Sequence, residues 1–221
     1  MTTNVIGASL SGLVEDVEVG EKRAELRAPG QRRIGLSGDE RADWSAAWAF
    51  VPSLAVGYFW HPAVHAGAVI AGLEGIGFEL VGEIVWVKAR WAVGPRSDQW
   101  AHKSCLVVRR QGARTRFLAG RDQGTVSEAP SPKVGGNGAD SKVDHPAQKS
   151  VVLFERPIRN HLPPGGLICD PFLGSGTTLV ARERSHRRCL AIEIDQLFVQ
   201  VAIERWQAVT GRRAEFIAEG R

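Results

Sequence analysis

The run from Leu167 to Thr178, Leu-Ile-Cys-Asp-Pro-Phe-Leu-Gly-Ser-Gly-Thr-Thr, constrains this chain more than any other feature. An apolar stretch reads as a buried strand, passes directly into a glycine-rich turn, and a helix follows. A strand, a glycine turn and a helix in that order build a ligand site at the carboxyl edge of a parallel sheet. Gly174 and Gly176 let the backbone approach a ligand where a Cβ would collide. The following helix offers its free N–H groups, with Ser175 and Thr177 as hydroxyl donors or caps. About twenty residues on, Glu193 ends the next strand, where an acidic side chain accepts hydrogen bonds from ribose hydroxyls.

Two familiar phosphate sites do not fit. A P-loop needs Lys after its last glycine, and Thr177 stands there. A dinucleotide fingerprint needs a third glycine, which Thr178 to Val180 do not supply. A plain glycine turn stays open as a reading. Asp170 before the loop and Glu193 after the next strand favour a cationic, ribose-bearing ligand, and S-adenosylmethionine is one.

The rest of the chain alternates strands with helices. The pattern predicts a helix over Asp39 to Pro52, a buried strand over Leu54 to Trp60, and a helix over His65 to Glu74 closed by Gly75 and Gly77. Further strands are expected at Ile84 to Val87, Cys105 to Val108, Leu167 to Cys169 and Cys189 to Ile194. A helix over Gln148 to Asn160 is limited by Pro157, and an amphipathic last helix carries Ile194, Leu197, Phe198, Val201 and Ala202. Between Gly112 and Asp144 glycines and prolines replace apolar residues, which marks a long loop. Alternation of this kind argues for a parallel α/β sheet covered on both faces.

At 221 residues, 43% of them hydrophobic, the chain suits one domain with a substantial core. No apolar run reaches the length of a membrane-spanning helix, so a cytoplasmic protein is expected. Cys105, Cys169 and Cys189 stand far apart and read as reduced thiols, and His61, His65, His102, His145 and His161 lack metal-ligand spacing, so no metal is expected. The net charge of +4 is modest. Arg109, Arg110, Arg114, Arg116 and Arg121 crowd one stretch opposed only by Asp122, which suits a phosphate backbone or a solvated face. Most of the seven tryptophans belong to the core; Trp91 and Trp100, around Gly94-Pro95, are candidates for stacking on bases.

Asp170 to Thr178 closely resembles the cofactor-binding motif of the N(4)-cytosine and N(6)-adenine DNA methyltransferases. His145-Pro-Ala-Gln-Lys149 resembles the segment before it in that family. Arg156 to Asn160, Ala191 to Asp195 and Arg205 to Gly211 extend the likeness, and Gly77-Phe78, Ile84 to Lys88 and Gln99 to His102 fall in the family's order upstream. The resemblance implies the permuted, beta-type subclass: an α/β, Rossmann-like S-adenosylmethionine-dependent methyltransferase fold, with a mixed seven-stranded sheet and helices on both faces. It implies one methyltransferase domain over 1–221 with a target-recognition insertion at about 109–144. It implies S-adenosylmethionine held by Asp170, Phe172, Gly174, Ser175, Gly176, Thr177 and Glu193, with Gln148 and Lys149 nearby. Double-stranded DNA is the implied partner, met by the arginine-rich loop, in a phage or restriction-modification setting; a homodimer is one assembly such a chain can form.

One family motif is missing. The catalytic tetrapeptide, Asp-Pro-Pro-Tyr or a relative, takes hydrogen bonds from the target amine and stacks on a flipped base. The nearest stand-in, Ala8-Ser9-Leu10-Ser11-Gly12, has no carboxylate, proline or aromatic, and Glu15 and Asp16 have the wrong neighbours. Lys103 stands where the family often has Glu, and Ser150 replaces a proline. No catalytic residue is assigned. A truncated or degenerate relative that binds DNA or cofactor without catalysis is the second reading.

Overall fold

The computed structural model describes residues 8–9, 47–48, 51–89, 97–132 and 148–217. The strands are β1 (Ala8–Ser9), β2 (Val56–His61), β3 (Phe78–Val87), β4 (His102–Arg110), β5 (Val126–Glu128), β6 (Leu167–Asp170) and β7 (Arg188–Ala191). The helices are α1 (Ala66–Gly75), α2 (Val152–His161), α3 (Thr177–Arg184) and α4 (Gln196–Thr210), with a 3-10 turn, Ala63–His65, before α1. The expected helix over Asp39 to Pro52 lies outside the described residues apart from helical Ala47–Trp48 and the stretch from Val51.

β2 is buried along its whole length and is an interior strand, beside the central β4, in a five-stranded sheet of order β1-β2-β4-β3-β5. β6 and β7 form a separate parallel pair among the described residues. The architecture is therefore mixed α/β, with the described strands divided between two sheets. The all-parallel sheet expected from alternation is overturned, because β4 is antiparallel to both β2 and β3. A strand buried on both faces shows the same apolar run in either direction, so its sense was not written in periodicity.

Side-chain alternation splits the core in two. Val56, Tyr58 and Trp60 of β2, Trp86, Cys105 and Ile168 face Phe154 and Ile158 of α2 and Val180 and Ala181 of α3. Phe59, Leu106 and Val108 face the other way, onto Val69 and Leu73 of α1, Trp48 and Phe172. Helices thus lie on both faces. Burying these aliphatic and aromatic side chains, each contributing about 1.5–3 kcal/mol, is what holds the layers. Pro157 sits inside α2 without ending it. Glu155 N already donates to Val151 O at 3.0 Å, so the helix is under way before the proline, which has no N–H to offer the Leu153 carbonyl.

β5 lies within the stretch expected to be loop; three residues pair in parallel with Val85 to Val87. Residues 133–147, His145 among them, lie outside the described residues. Among the described residues no helix is long and apolar enough to cross a membrane.

Candidate functional site

The register fixes which end of the sheet is which. β2 ends at His61 opposite Ser104, and β3 ends at Val87 opposite His102. The carboxyl ends of β2 and β3 thus share one edge with the start of β4. β1 is parallel to β2 with Ser9 beside Trp60, so it also ends at this edge. The Asp170 loop comes to the same edge. Phe172 meets Trp48, ring centroids 5.9 Å apart, and Trp48 meets Phe59 at 4.6 Å. Lys149 Nζ lies 5.8 Å from the Trp60 ring centroid, and the lysine charge acts on the Asp170 carboxyl. In open α/β sheets that edge is where ligands bind.

The loop itself is tied internally at almost every residue. Asp170 is 1% exposed; its Oδ1 accepts from Phe172 N at 3.0 Å and its Oδ2 from Thr178 Oγ1 at 2.5 Å. Burial pushes the Asp170 carboxyl up to about 7, with Glu193 acting in the same direction; the two hydrogen bonds and Lys149 pull against it. Gly174 adopts φ 55°, and its N–H donates to Glu193 Oε2 at 2.7 Å. Glu193 Oε1 accepts from Asp195 N at 2.9 Å. Each Glu193 oxygen keeps a second lone pair, so the carboxylate is oriented by the loop and still able to accept from a hydroxyl.

Gly176 has a different reason to be glycine. With φ 77°, a Cβ built there would stand 2.8 Å from the Ala202 Cβ. Its bare Cα lets α4 close on the loop. α3 has no side-chain cap, so of the donor and cap roles expected for Ser175 and Thr177 the donor role is the one Thr177 takes. Their oxygens are held by Arg205, which is 5% exposed. Arg205 Nη1 donates to Ser175 O at 3.1 Å and to Thr177 Oγ1 at 3.0 Å. The Thr177 hydroxyl donates onward to Lys149 O at 3.4 Å. Gln148 and Lys149 are both buried beside the loop. Arg205 was missed from sequence, although its place three residues after Ala202 on the apolar stripe of α4 was the signal. Asp195 caps α4 through Leu197 N at 2.9 Å.

Arg109 and Arg110 are not brought to this edge. Because β4 is antiparallel, Arg109 pairs with Val56 and Arg110 with Phe78, at the amino ends of β2 and β3. Five residues separate that register from His61, about 17 Å at 3.4 Å each. Arg110 holds the fold: its guanidinium donates to Leu54 O at 2.9 Å and Ile76 O at 3.1 Å, 4.2 Å from the Phe78 ring centroid. Arg109 pairs with Glu79 at 2.6 Å. Arg116 bonds through its backbone to His161, level with Tyr58, whose hydroxyl lies 2.9 Å from His161 Nε2. Arg114, Arg116 and Arg121 are exposed on a loop that Asn160 and Arg156 pin through Gln123. Leu10 to Gly12, Glu15, Asp16, Trp44 and Trp91 lie outside the described residues. Among the described residues no group of three His, Cys, Asp or Glu side chains could hold a metal ion.

Comparison with known proteins places this geometry. A family model described as DNA methylase matches residues 59–204, more than half of the chain. The type II methyltransferase M.ScaI of Streptomyces caespitosus is 39% identical over 80 residues, 35% of this chain and 26% of that protein. The type II methyltransferase M2.DpnII of Streptococcus pneumoniae is 30% identical over 145 residues, 62% of this chain and 54% of that protein. The chain therefore spans between about a quarter and just over half of these relatives. The crystal structure of an M1.HpyAVI–SAM complex superposes with a TM-score of 0.65 at 22% identity, covering 92% of this chain and 88% of that one. The chain belongs to the N(4)-cytosine/N(6)-adenine DNA methylase family.

Proposed function

We propose that this chain transfers a methyl group from S-adenosylmethionine to the exocyclic amine of adenine or cytosine in double-stranded DNA. The observation that carries the reading is the Glu193 carboxylate, fixed by Gly174 N–H at the edge where the Asp170 loop turns. A ribose needs an acceptor there, and Glu193 has lone pairs to spare. Bound S-adenosylmethionine supplies a methyl group on a cationic sulfonium. A cation suits this pocket, because Asp170 resists ionising there and gains most from a positive neighbour. Phe172 offers an aromatic wall; Ser175, Gly176 and Thr177 shape the turn through Arg205 and Ala202; Gln148 and Lys149 close the side next to Trp60. The match to M1.HpyAVI, solved with SAM, supports the same cofactor.

The chain acts as one domain, in the cytoplasm and in a phage or restriction-modification setting, with a target-recognition insertion at about 109–144. Leu190, Ile192, Ile194 and Leu197, all more than two-fifths exposed along β7 and the start of α4, support a homodimer.

The test is transfer of a labelled methyl group to unmethylated DNA, with cofactor binding measured in parallel by calorimetry. Wild-type protein should incorporate label, and Glu193→Ala should weaken cofactor binding about 10- to 150-fold, as loss of a charged hydrogen-bond acceptor implies. Folded wild-type protein that binds no S-adenosylmethionine would overturn the reading.

A further inference from the structure

The edge that carries the Asp170 loop also carries Trp100, a candidate for base stacking, and beside it two ammonium groups that no role above employs. Trp100 lies just before β4, Lys103 is the second residue of β4, and Lys88 follows β3. The three are closed into one strand-end structure. Lys88 N donates to Ala101 O at 2.8 Å, and Lys88 Nζ donates to Trp100 O at 3.5 Å. The Trp100 indole is 42% exposed, against 1–5% for Trp48, Trp60 and Trp86. It meets the His102 ring in a T-shaped contact with centroids 5.5 Å apart, which sets the tilt of the indole without covering it. Lys103 is close enough to Lys88 to lower the Lys88 pKa, in support of partial burial. Exposed Asp98 and Glu128 flank the group, yet among the described residues neither lysine forms an ion pair with a carboxylate.

An exposed indole is a sequence-tolerant platform, since every base has a π-face to lay on it. Adjacent ammonium groups serve the phosphates on either side and release counterions when they do. A base edge inside an intact duplex would call for amide or guanidinium forks in a groove, and this edge presents a ring instead. Arg109 and Arg110 lie at the opposite end of the sheet, so they cannot serve a strand that reaches the Asp170 loop without spanning the length of β4.

We propose that Trp100 is the platform for an unstacked base of the DNA, with Lys88 and Lys103 holding the phosphates beside it. This rests on the methyl-transfer reading above. The platform addresses DNA alone and leaves cofactor affinity to the Glu193 side of the edge.

The test measures equilibrium binding of the full chain to a fluorescein-labelled duplex and to its single strand, over a range of salt, with S-adenosylmethionine affinity in parallel. Trp100→Ala should weaken DNA binding about 5- to 150-fold, the range for loss of one base–aromatic stack. Trp100→Phe should stay within about threefold, because a ring remains. Lys88→Gln and Lys103→Gln should each lower the salt slope by about 0.9. Cofactor affinity should not change in any of them. Trp100→Ala that binds DNA as wild type does would overturn the platform. If that variant fails to fold, unchanged salt slopes in both lysine variants overturn it. Wild-type protein that binds cofactor but no DNA removes both this platform and the DNA-methylation reading. Trp100-dependent DNA binding without methyl transfer keeps the platform and removes only the enzymatic reading.

Discussion

Replacing Asp170 by Asn should stabilise the fold at neutral pH while weakening the cofactor site. The Asp170 carboxyl is 1% exposed, and burial lifts it from 3.8 to about 7. A lift of that size means that ionising this group costs the folded state about 4 kcal/mol, at about 1.4 kcal/mol for each tenfold. Between pH 4 and 7 the folded chain holds this proton and the unfolded chain does not, so stability falls as pH rises. The contribution is fully present below pH 4, is lost as pH climbs through 7, and is flat above. An amide has the same shape and can still accept from Phe172 N while its NH2 group meets the Thr178 oxygen. Asp170→Asn should therefore match wild type in urea unfolding near pH 4. It should exceed wild type by about 2–4 kcal/mol at pH 8, the lower figure allowing for imperfect amide geometry. A sulfonium bound nearby would favour the ionised carboxyl, so wild-type affinity for S-adenosylmethionine should rise from pH 5.5 to 7.5 and that of the variant should stay level. Unfolding curves for the two proteins that keep a constant separation from pH 4 to 8 would show that Asp170 does not titrate in this range, and the argument would fail.

Five other substitutions separate shape from charge. Gly176→Ala forces a Cβ to within 2.8 Å of Ala202 at φ 77°, so urea unfolding should show a loss of about 2–4 kcal/mol. Arg205→Met removes the donors to Ser175 O and Thr177 Oγ1; calorimetric unfolding should fall by about 3 kcal/mol and S-adenosylmethionine affinity should drop with it. Arg110→Ala should cost about 2 kcal/mol in thermal unfolding by freeing the Leu54 and Ile76 carbonyls. Arg116→Ala and Arg121→Ala should leave the salt dependence of DNA binding where it was; a slope reduced by about 0.9 in either would return the arginine loop to the DNA face.

Much of the fold was legible because its signals are local. β6, the glycine turn and α3 follow one another within a short stretch, and each is punctuated by residues with a single reading. β3 is longer than its apolar part because Glu79 to Gly82 is half exposed, and a register shift between Leu80 and Gly82 breaks its alternation. Only Ile84 to Val87 therefore read as strand. β5 could not be seen at all: three residues take their ladder from the β3 edge and carry no pattern of their own. Where Arg109 and Arg110 fall was hidden for a related reason. Neighbours in sequence on a strand point to opposite faces, and the strand's direction decides which end of the sheet they reach. Neither property is visible in a count of charges.

Gly174 and Gly176 show where residue type stops being informative about role. Both have positive φ, both sit in the ligand loop, and from sequence both were read as room for a ligand. Gly174 presents its N–H to Glu193 and so shapes the acceptor that a ribose would meet. Gly176 is pressed against Ala202, and the space its missing Cβ leaves is already filled by α4. A small residue is needed at 202 as much as at 176, and Arg205, one turn further along α4, then reaches Ser175 and Thr177 from that close approach. The loop is therefore built from two sides. Glu193 orients its outer half toward a ligand, and α4 clamps its inner half to the protein. A substitution on the α4 side should lower stability and cofactor affinity together, whereas one at Glu193 should lower affinity with far less effect on the fold.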